Sequence, residues 1–137
     1  MSRELEIALP FPPSVNHYWR HTRQGKHYIS DKGKRFRELA LLACFAELPF
    51  DGLVSVEVEV YLPDRRDRDL DNLWKVIMDS LTHAQILKDD SWKYVVKESI
   101  EAVGEVRINE KGETEFIPEI VKDGRVVVTI KELKRGG

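Results

Sequence analysis

Val54-Ser55-Val56-Glu57-Val58-Glu59-Val60-Tyr61-Leu62 runs into Pro63-Asp64-Arg65-Arg66-Asp67-Arg68 and then Asp69-Leu70-Asp71-Asn72-Leu73-Trp74-Lys75. Val54, Val56, Val58, Val60 and Leu62 alternate with Ser55, Glu57, Glu59 and Tyr61. That period of two predicts a strand in a sheet with one covered and one wet face. Pro63 stops it, and 64–68 form a charged turn. Leu70, Leu73, Trp74, Ile77, Met78 and Leu81 then make an apolar stripe, which predicts a helix over 70–82. Asp71, Asn72, Lys75, Asp79 and Thr82 share an arc about 100° wide on its other side. Asp71 and Lys75 are one turn apart, with Asp69 just before the first turn. A carboxylate pair and an ammonium therefore stand at the mouth of one helix, beyond the end of one strand.

Upstream, Leu5, Ile7 and Leu9 alternate as a first strand, ending at Pro10 and the extended Pro12-Pro13. The stretch 14–21 reads as a loop in which Tyr18 and Trp19 sit among Asn16, His17, Arg20 and His21. Aromatic faces beside Arg and His can stack on bases and hold phosphates; the same rings can equally close over the core. Ser30 is an N-cap for a helix over 31–48, with Phe36, Leu39, Ala40 and Ala43 inward and Pro49 and Gly52 ending it. Lys34, Arg35 and Arg37 crowd its start, the wrong end for the helix dipole and a hint of a polyanionic partner. Asp79 is expected to pair with Lys75. Downstream, Ile86 to Ser91 reads as a turn, Tyr94-Val95-Val96 as a strand, and Asn109-Glu110-Lys111-Gly112 as a hairpin tip. Asp123-Gly124 introduces a closing strand over 125–130, and 134–137 are expected to fray.

The chain has 137 residues, 42% hydrophobic and 34% charged, with one cysteine, Cys44. This fits a single domain over 1–137 with a real core and no intrachain disulfide, as in a reducing cytoplasm. No apolar run approaches a membrane span. The formal net charge of −2 does not announce a nucleic-acid binder. The distribution says more: Arg20, Arg23, Lys26, Lys32, Lys34, Arg35 and Arg37 face only Asp31 between 17 and 37, while Glu98, Glu101, Glu105, Glu110, Glu113, Glu115 and Glu119 come later. Such asymmetry can give one basic face on an acidic whole, or equally a solvated charged helix and a solvated hairpin.

Carboxylates packed among arginines repel one another unless a cation holds them. Mg²⁺ takes carboxylate oxygens and keeps positions for water and phosphate, and Mn²⁺ would be held by the same oxygens. Asp69, Asp71 and Asp90, the second of the Asp89-Asp90 pair, are the expected metal ligands, converging on one pocket. Lys75 is expected to face the phosphate oxygens as charge grows on them. Arg65, Arg66, Arg68 and Asn72, with Asn16 and Arg20, are the expected DNA contacts. The expected class is a metal-dependent enzyme acting on nucleic-acid phosphates.

These residues resemble the RusA family of Holliday junction resolvases. The likeness runs from Leu9-Pro10-Phe11-Pro12-Pro13-Ser14 through Pro63-Asp64-Arg65-Arg66 and Asp69-Leu70-Asp71-Asn72-Leu73 to Asp89-Asp90. It implies that Asp69, Asp71 and Asp90 bind Mg²⁺, that Lys75 is the essential lysine, and that a homodimer nicks a four-way junction symmetrically. A two-fold branch point needs two sites related by a dyad. The stretch 104–122 is longer than the family's minimal form, and the chain is more acidic than the resemblance implies. The expected fold is α+β, RusA-like, a mixed sheet with two main helices on one face.

Other classes fit less well. His17, His21 and His27 lack a cysteine and the spacing of a closed zinc site. A nucleotide-sugar transferase would need a larger domain and a glycine-rich phosphate loop after the first strand. A non-catalytic branched-DNA binding module is the remaining alternative, and it leaves the clustered aspartates unexplained.

Overall fold

The computed structural model describes residues 2–21, 25 and 27–133. The basic residues Arg23 and Lys26 and the terminal 134–137 lie outside them. The elements run β1 (Glu4–Pro10), α1 (Val15–Tyr18), β2 (Trp19–His21), β3 (His27–Ile29), α2 (Asp31–Ala43), β4 (Val54–Tyr61), α3 (Leu70–His83), β5 (Val95–Ala102), β6 (Gly104–Ile108), β7 (Thr114–Pro118) and β8 (Arg125–Glu132). The main sheet has the order β1-β8-β4-β5. β8 is antiparallel to both β1 and β4, while β5 is parallel to β4. The sheet is mixed, as expected, and α3 is the crossover that a parallel pair requires.

Alternation in β4 builds the core. Val54, Val56, Val58 and Val60 are buried with Val126, Val128 and Ile130 of β8 and Ile7 and Leu9 of β1. Leu73, Val76, Ile77, Met78 and Leu81 of α3 and Phe36 and Ala40 of α2 cover this face. On the other face the register sets Glu6 and Glu57 on either side of Thr129, so that face is wet. Ile77 has no exposed surface. Ile77→Ala should therefore cost about 2–5 kcal/mol, the usual toll for emptying a core site; urea unfolding with the slope unchanged is the check.

Three readings from the sequence are corrected. The α2 helix ends at Ala43, not at 48, because Cys44 turns inward and its N–H caps the carbonyls of Ala40, Leu41 and Leu42. Leu39 and Ala43 are exposed, and Gly33 and Cys44 take inward places. The stretch 14–21 is not a plain loop but α1 followed by β2, with Ser14 accepting from the His17 N–H at 3.3 Å. Tyr18 is fully buried, so of the two readings the core wins. No described helix is long and apolar enough to cross a membrane.

Ser30 caps α2 as expected, accepting from the Gly33 N–H at 3.0 Å. The hairpin β6–β7 forms with Val106 opposite Phe116. Asp123 and Gly124 both have positive φ, 64° and 65°, which is how two such residues turn the chain tightly into β8.

Candidate active site

Pro63 ends β4 and the chain folds back on Asp64. Its carboxylate accepts the Arg66 N–H at 2.9 Å and both terminal nitrogens of Arg68, at 2.6 and 3.2 Å. The Arg68 guanidinium, aided by the Arg66 N–H, lowers the Asp64 pKa to about 2. Arg68 also lies over the Phe11 ring at 5.2 Å. Arg68 is thus a brace for this turn before it is anything else. Arg65 and Arg66 are left exposed, with the Arg66 side chain 83% accessible. With Arg68, Leu70, Ala102 and Phe116 they line a surface depression of ≈ 420 Å³.

The turn delivers Asp69 to the N-cap of α3, where Oδ1 accepts the Asp71 N–H at 3.1 Å. Asp71 reaches back along the helix to Lys75, with Oδ2 and Nζ 3.3 Å apart. Both side chains are well exposed, 68% and 61%, so their mutual attraction is small and both are available to a third party. Asn72, half-buried, belongs to the same turn. A groove of ≈ 200 Å³ runs from Asp71 and Trp74 to Glu98 and Ile100 on β5. Glu98 carried no signal in the sequence, because only the parallel pairing of β5 with β4 brings it beside Asp71. One end of the molecule therefore holds Asp69, Asp71, Lys75, Asn72, Arg65, Arg66 and Arg68 together.

Asp90 is elsewhere. The segment before β5 lies against the start of β4, with Phe50 N–H donating to Ile86 O at 3.0 Å and Val54 N–H to Tyr94 O at 2.8 Å. Asp69 follows the end of β4. Asp90 lies instead within reach of the charge of Asp79, ten residues along α3 from Asp69, a rise of about 15 Å. Among the described residues no three His, Cys, Asp or Glu side chains form a group able to hold a metal ion. The expectation that the three aspartates of one chain converge on one pocket is overturned, and the cause is topological: a parallel crossover puts the start of β5 and the end of β4 at opposite ends of the sheet. Partial burial, a hydrogen bond with Asp89 and the charges of Asp89 and Asp79 push Asp90 above the ordinary carboxylate range.

A second polar cluster lies at that far end. The Tyr18 hydroxyl donates to Asp79 Oδ2, and Arg37 binds the same oxygen through its Nη2 at 2.8 Å and donates from Nε to the Tyr18 oxygen at 2.8 Å. Burial, then the bond to Asp79, raises the phenol to about 12. Asp79 therefore pairs with Arg37 and not with Lys75 as expected, and Arg37 ties α2 to α3. Asn16 and Arg20, both exposed, flank Tyr18, whose hydroxyl bonds Asp79 of α3.

Fold and site together define a class: a small α+β protein with one mixed sheet, whose crossover helix opens on two aspartates and a lysine beside an arginine loop. The chain belongs to the Endodeoxyribonuclease RusA family, whose model matches residues 10–131. It is 41% identical over 91 residues to the Crossover junction endodeoxyribonuclease rusA of Enterobacteria phage HK97, covering 64% of this chain and 74% of that protein. The protein of the same name from Enterobacteria phage 82 is 42% identical over 88 residues, covering 62% and 72%. That of Escherichia coli strain K12 is 40% identical over 92 residues, covering 62% and 72%.

Proposed function

We propose that this chain is a divalent-metal-dependent endodeoxyribonuclease that resolves four-way DNA junctions by paired nicks, working as a homodimer in the cytoplasm, with residues 1–137 acting as one domain. The family and the names of the relatives support the reaction class. The observation that carries it is the head of α3, where Asp69, Asp71 and Lys75 stand beside Arg65 and Arg66. Carboxylate oxygens are the donors a hard cation prefers, so Mg²⁺ or Mn²⁺ fits this set. Two carboxylates make only half a site. Asp90, at the other end of its own sheet, completes it when it comes from the second copy. Each dimer then has two sites, each built from both chains.

When bound, the cation supplies Lewis-acid stabilisation of charge at the scissile phosphate. Asp69 and Asp71 hold it, with Asp69 fixed by its capping bond. Lys75 reaches the non-bridging phosphate oxygens from one turn further along α3. Arg65 and Arg66 grip the flanking phosphates, bidentate where the fork allows. Arg68 keeps that turn in shape from Asp64, and Asn72 is positioned to touch the backbone of the same strand. Asn16 and Arg20, near the Asp90 end, would meet DNA at the site Asp90 completes.

The test is incubation of the purified protein with a synthetic four-way junction and with linear duplex, with Mg²⁺ or with chelator. The expected result is paired symmetric nicks in the junction with Mg²⁺, far less cutting of the duplex, and none with chelator. Junction binding without cutting under every divalent ion would favour the branched-DNA binding module instead.

A further inference from the structure

We propose that Phe116, on the β6–β7 arm, is a stacking platform for a base left unpaired at the branch point of the DNA, beside arginines that grip the neighbouring phosphates. The proposal deepens the reading of the chain as a junction nuclease and rests on it. The arm is fixed at the end of the molecule that carries Asp69 and Asp71. At its roots the Val103 N–H donates to Val60 O at 2.9 Å and the Val121 N–H to Leu62 O at 3.0 Å. Both acceptors lie where β4 runs out, just before the arginine turn.

The register of the arm sorts its side chains by charge. Gly104 faces Pro118, Val106 faces Phe116 and Ile108 faces Thr114, and none of these carries a charge. Glu105, Arg107 and Glu115 all fall on the other face, with Arg107 held to Glu105 at 2.9 Å. Val106, Ile108 and Phe116 are 71%, 76% and 43% exposed. An aromatic ring among exposed aliphatic side chains, with no carboxylate on its face, suits a flat apolar group. Phe116 is also firmly seated. A Cβ built on Gly104 would stand 2.6 Å from its Cζ, so the ring lies across the bare glycine and leans toward the root of the arm.

The arginines stand at that root. Phe116 and Pro118 line the same depression as Arg65, Arg66 and Arg68, where Asp67 is the one carboxylate. An apolar protein partner would leave these cations unanswered. A nucleotide answers both halves, with a π-face for the ring and a phosphate for the guanidinium forks. Continuous duplex keeps its bases stacked and out of reach. At a branch point the stack is already interrupted, and drawing a base out costs least there. The ring therefore reads an interrupted stack and not a sequence. Leu70 lines the depression too and stands between Asp69 and Asp71 in the chain. A base on Phe116 thus lies on the strand whose phosphate meets the head of α3, and the arm ties cutting to the branch.

The test titrates the full chain, with chelator so that strands stay whole, into a four-way junction carrying 2-aminopurine at the exchange point and into a linear duplex carrying it internally. The wild type should raise the junction's emission several-fold, as the base leaves its stack, and leave the duplex's nearly unchanged. Phe116→Ala should abolish most of that rise and raise the junction Kd about tenfold, while the duplex Kd stays within about twofold. Phe116→Trp, which keeps a ring, should restore both the emission and the Kd. Equal junction affinity in Phe116→Ala and wild type, or an equal loss on junction and duplex, overturns the platform. So does a lower sedimentation mass for Phe116→Ala, which would give this face to a second copy of the chain. Mg²⁺-dependent nicking scores the nuclease reading separately. A wild type that cuts while Phe116→Ala binds normally loses the platform alone; a wild type that never cuts yet needs Phe116 for junctions loses the nuclease alone.

Discussion

Asp71→Asn protein and Asp90→Asn protein, each expected to be inactive alone, should recover junction cleavage when co-expressed or refolded together. The expectation follows from where the side chains sit. Within one chain Asp71 and Asp90 belong to opposite ends of the β4–β5 pair and share, among the described residues, no group able to hold a metal ion, so the proposed site draws them from two chains. In a mixed dimer the Asp90→Asn chain offers an intact Asp69–Asp71 pair, and the Asp71→Asn chain brings an intact Asp90 to it. One site is whole and the other lacks both groups. With equal amounts, half the dimers are mixed, so about a quarter of all sites are complete. Cleavage should return from background to about that fraction of wild type, a gain of orders of magnitude.

The products carry a second signature. A mixed dimer has one working site and should cut one strand of a junction, so single nicks should accumulate where the wild type leaves paired ones. The junction should still be bound by both single variants, because an amide in place of a carboxylate keeps the shape and removes negative charge. A mixture as dead as its components would mean that each site closes within one chain, or that Asp90 is not a ligand. Loss of fold in Asp90→Asn would make that residue structural.

The contrast between Asp71 and Asp90 marks the limit of what is legible in the sequence. β4 and α3 could be read because their signals are local: alternating valines in one, a stripe at helical spacing in the other. The capping place of Asp69 and the i,i+4 approach of Lys75 to Asp71 follow from the same periodicity. Neither period says which end of a sheet a later loop will reach. Asp90 looked like part of the cluster because it is an aspartate in a charged turn, and only the strand order sends it to the other end. Tyr18 and Asp79 failed for a similar reason. Their partners lie 61 positions apart in sequence, and a buried phenol bonded to a carboxylate has no local pattern. Glu98 was invisible because its neighbour Asp71 is set by the pairing of β5 with β4.

Lys75→Ala is expected to lower the cleavage rate by about 10²-fold or more while leaving junction affinity near wild type, the effect of removing one donor to the developing charge. The structure offers a rival account that must be separated from this one. Lys75 lies 3.3 Å from Asp71, so its loss could act through the carboxylate instead of the phosphate. Stability will not discriminate, since an exposed i,i+4 pair is worth only about 0.3–0.5 kcal/mol. The metal titration will. If Lys75 serves the phosphate, removing it leaves Asp71 more negative, so half-maximal Mg²⁺ stays the same or falls while the maximal rate remains low. If Lys75 merely orients Asp71, the variant needs more Mg²⁺ and recovers its rate when given it. Recovery at high Mg²⁺ would take Lys75 out of contact with the substrate and make it a positioning residue. Lys75→Arg sharpens the distinction, because a guanidinium keeps the charge near Asp71 but cannot present a compact ammonium to one phosphate oxygen; normal metal demand with a depressed rate is the outcome expected of it.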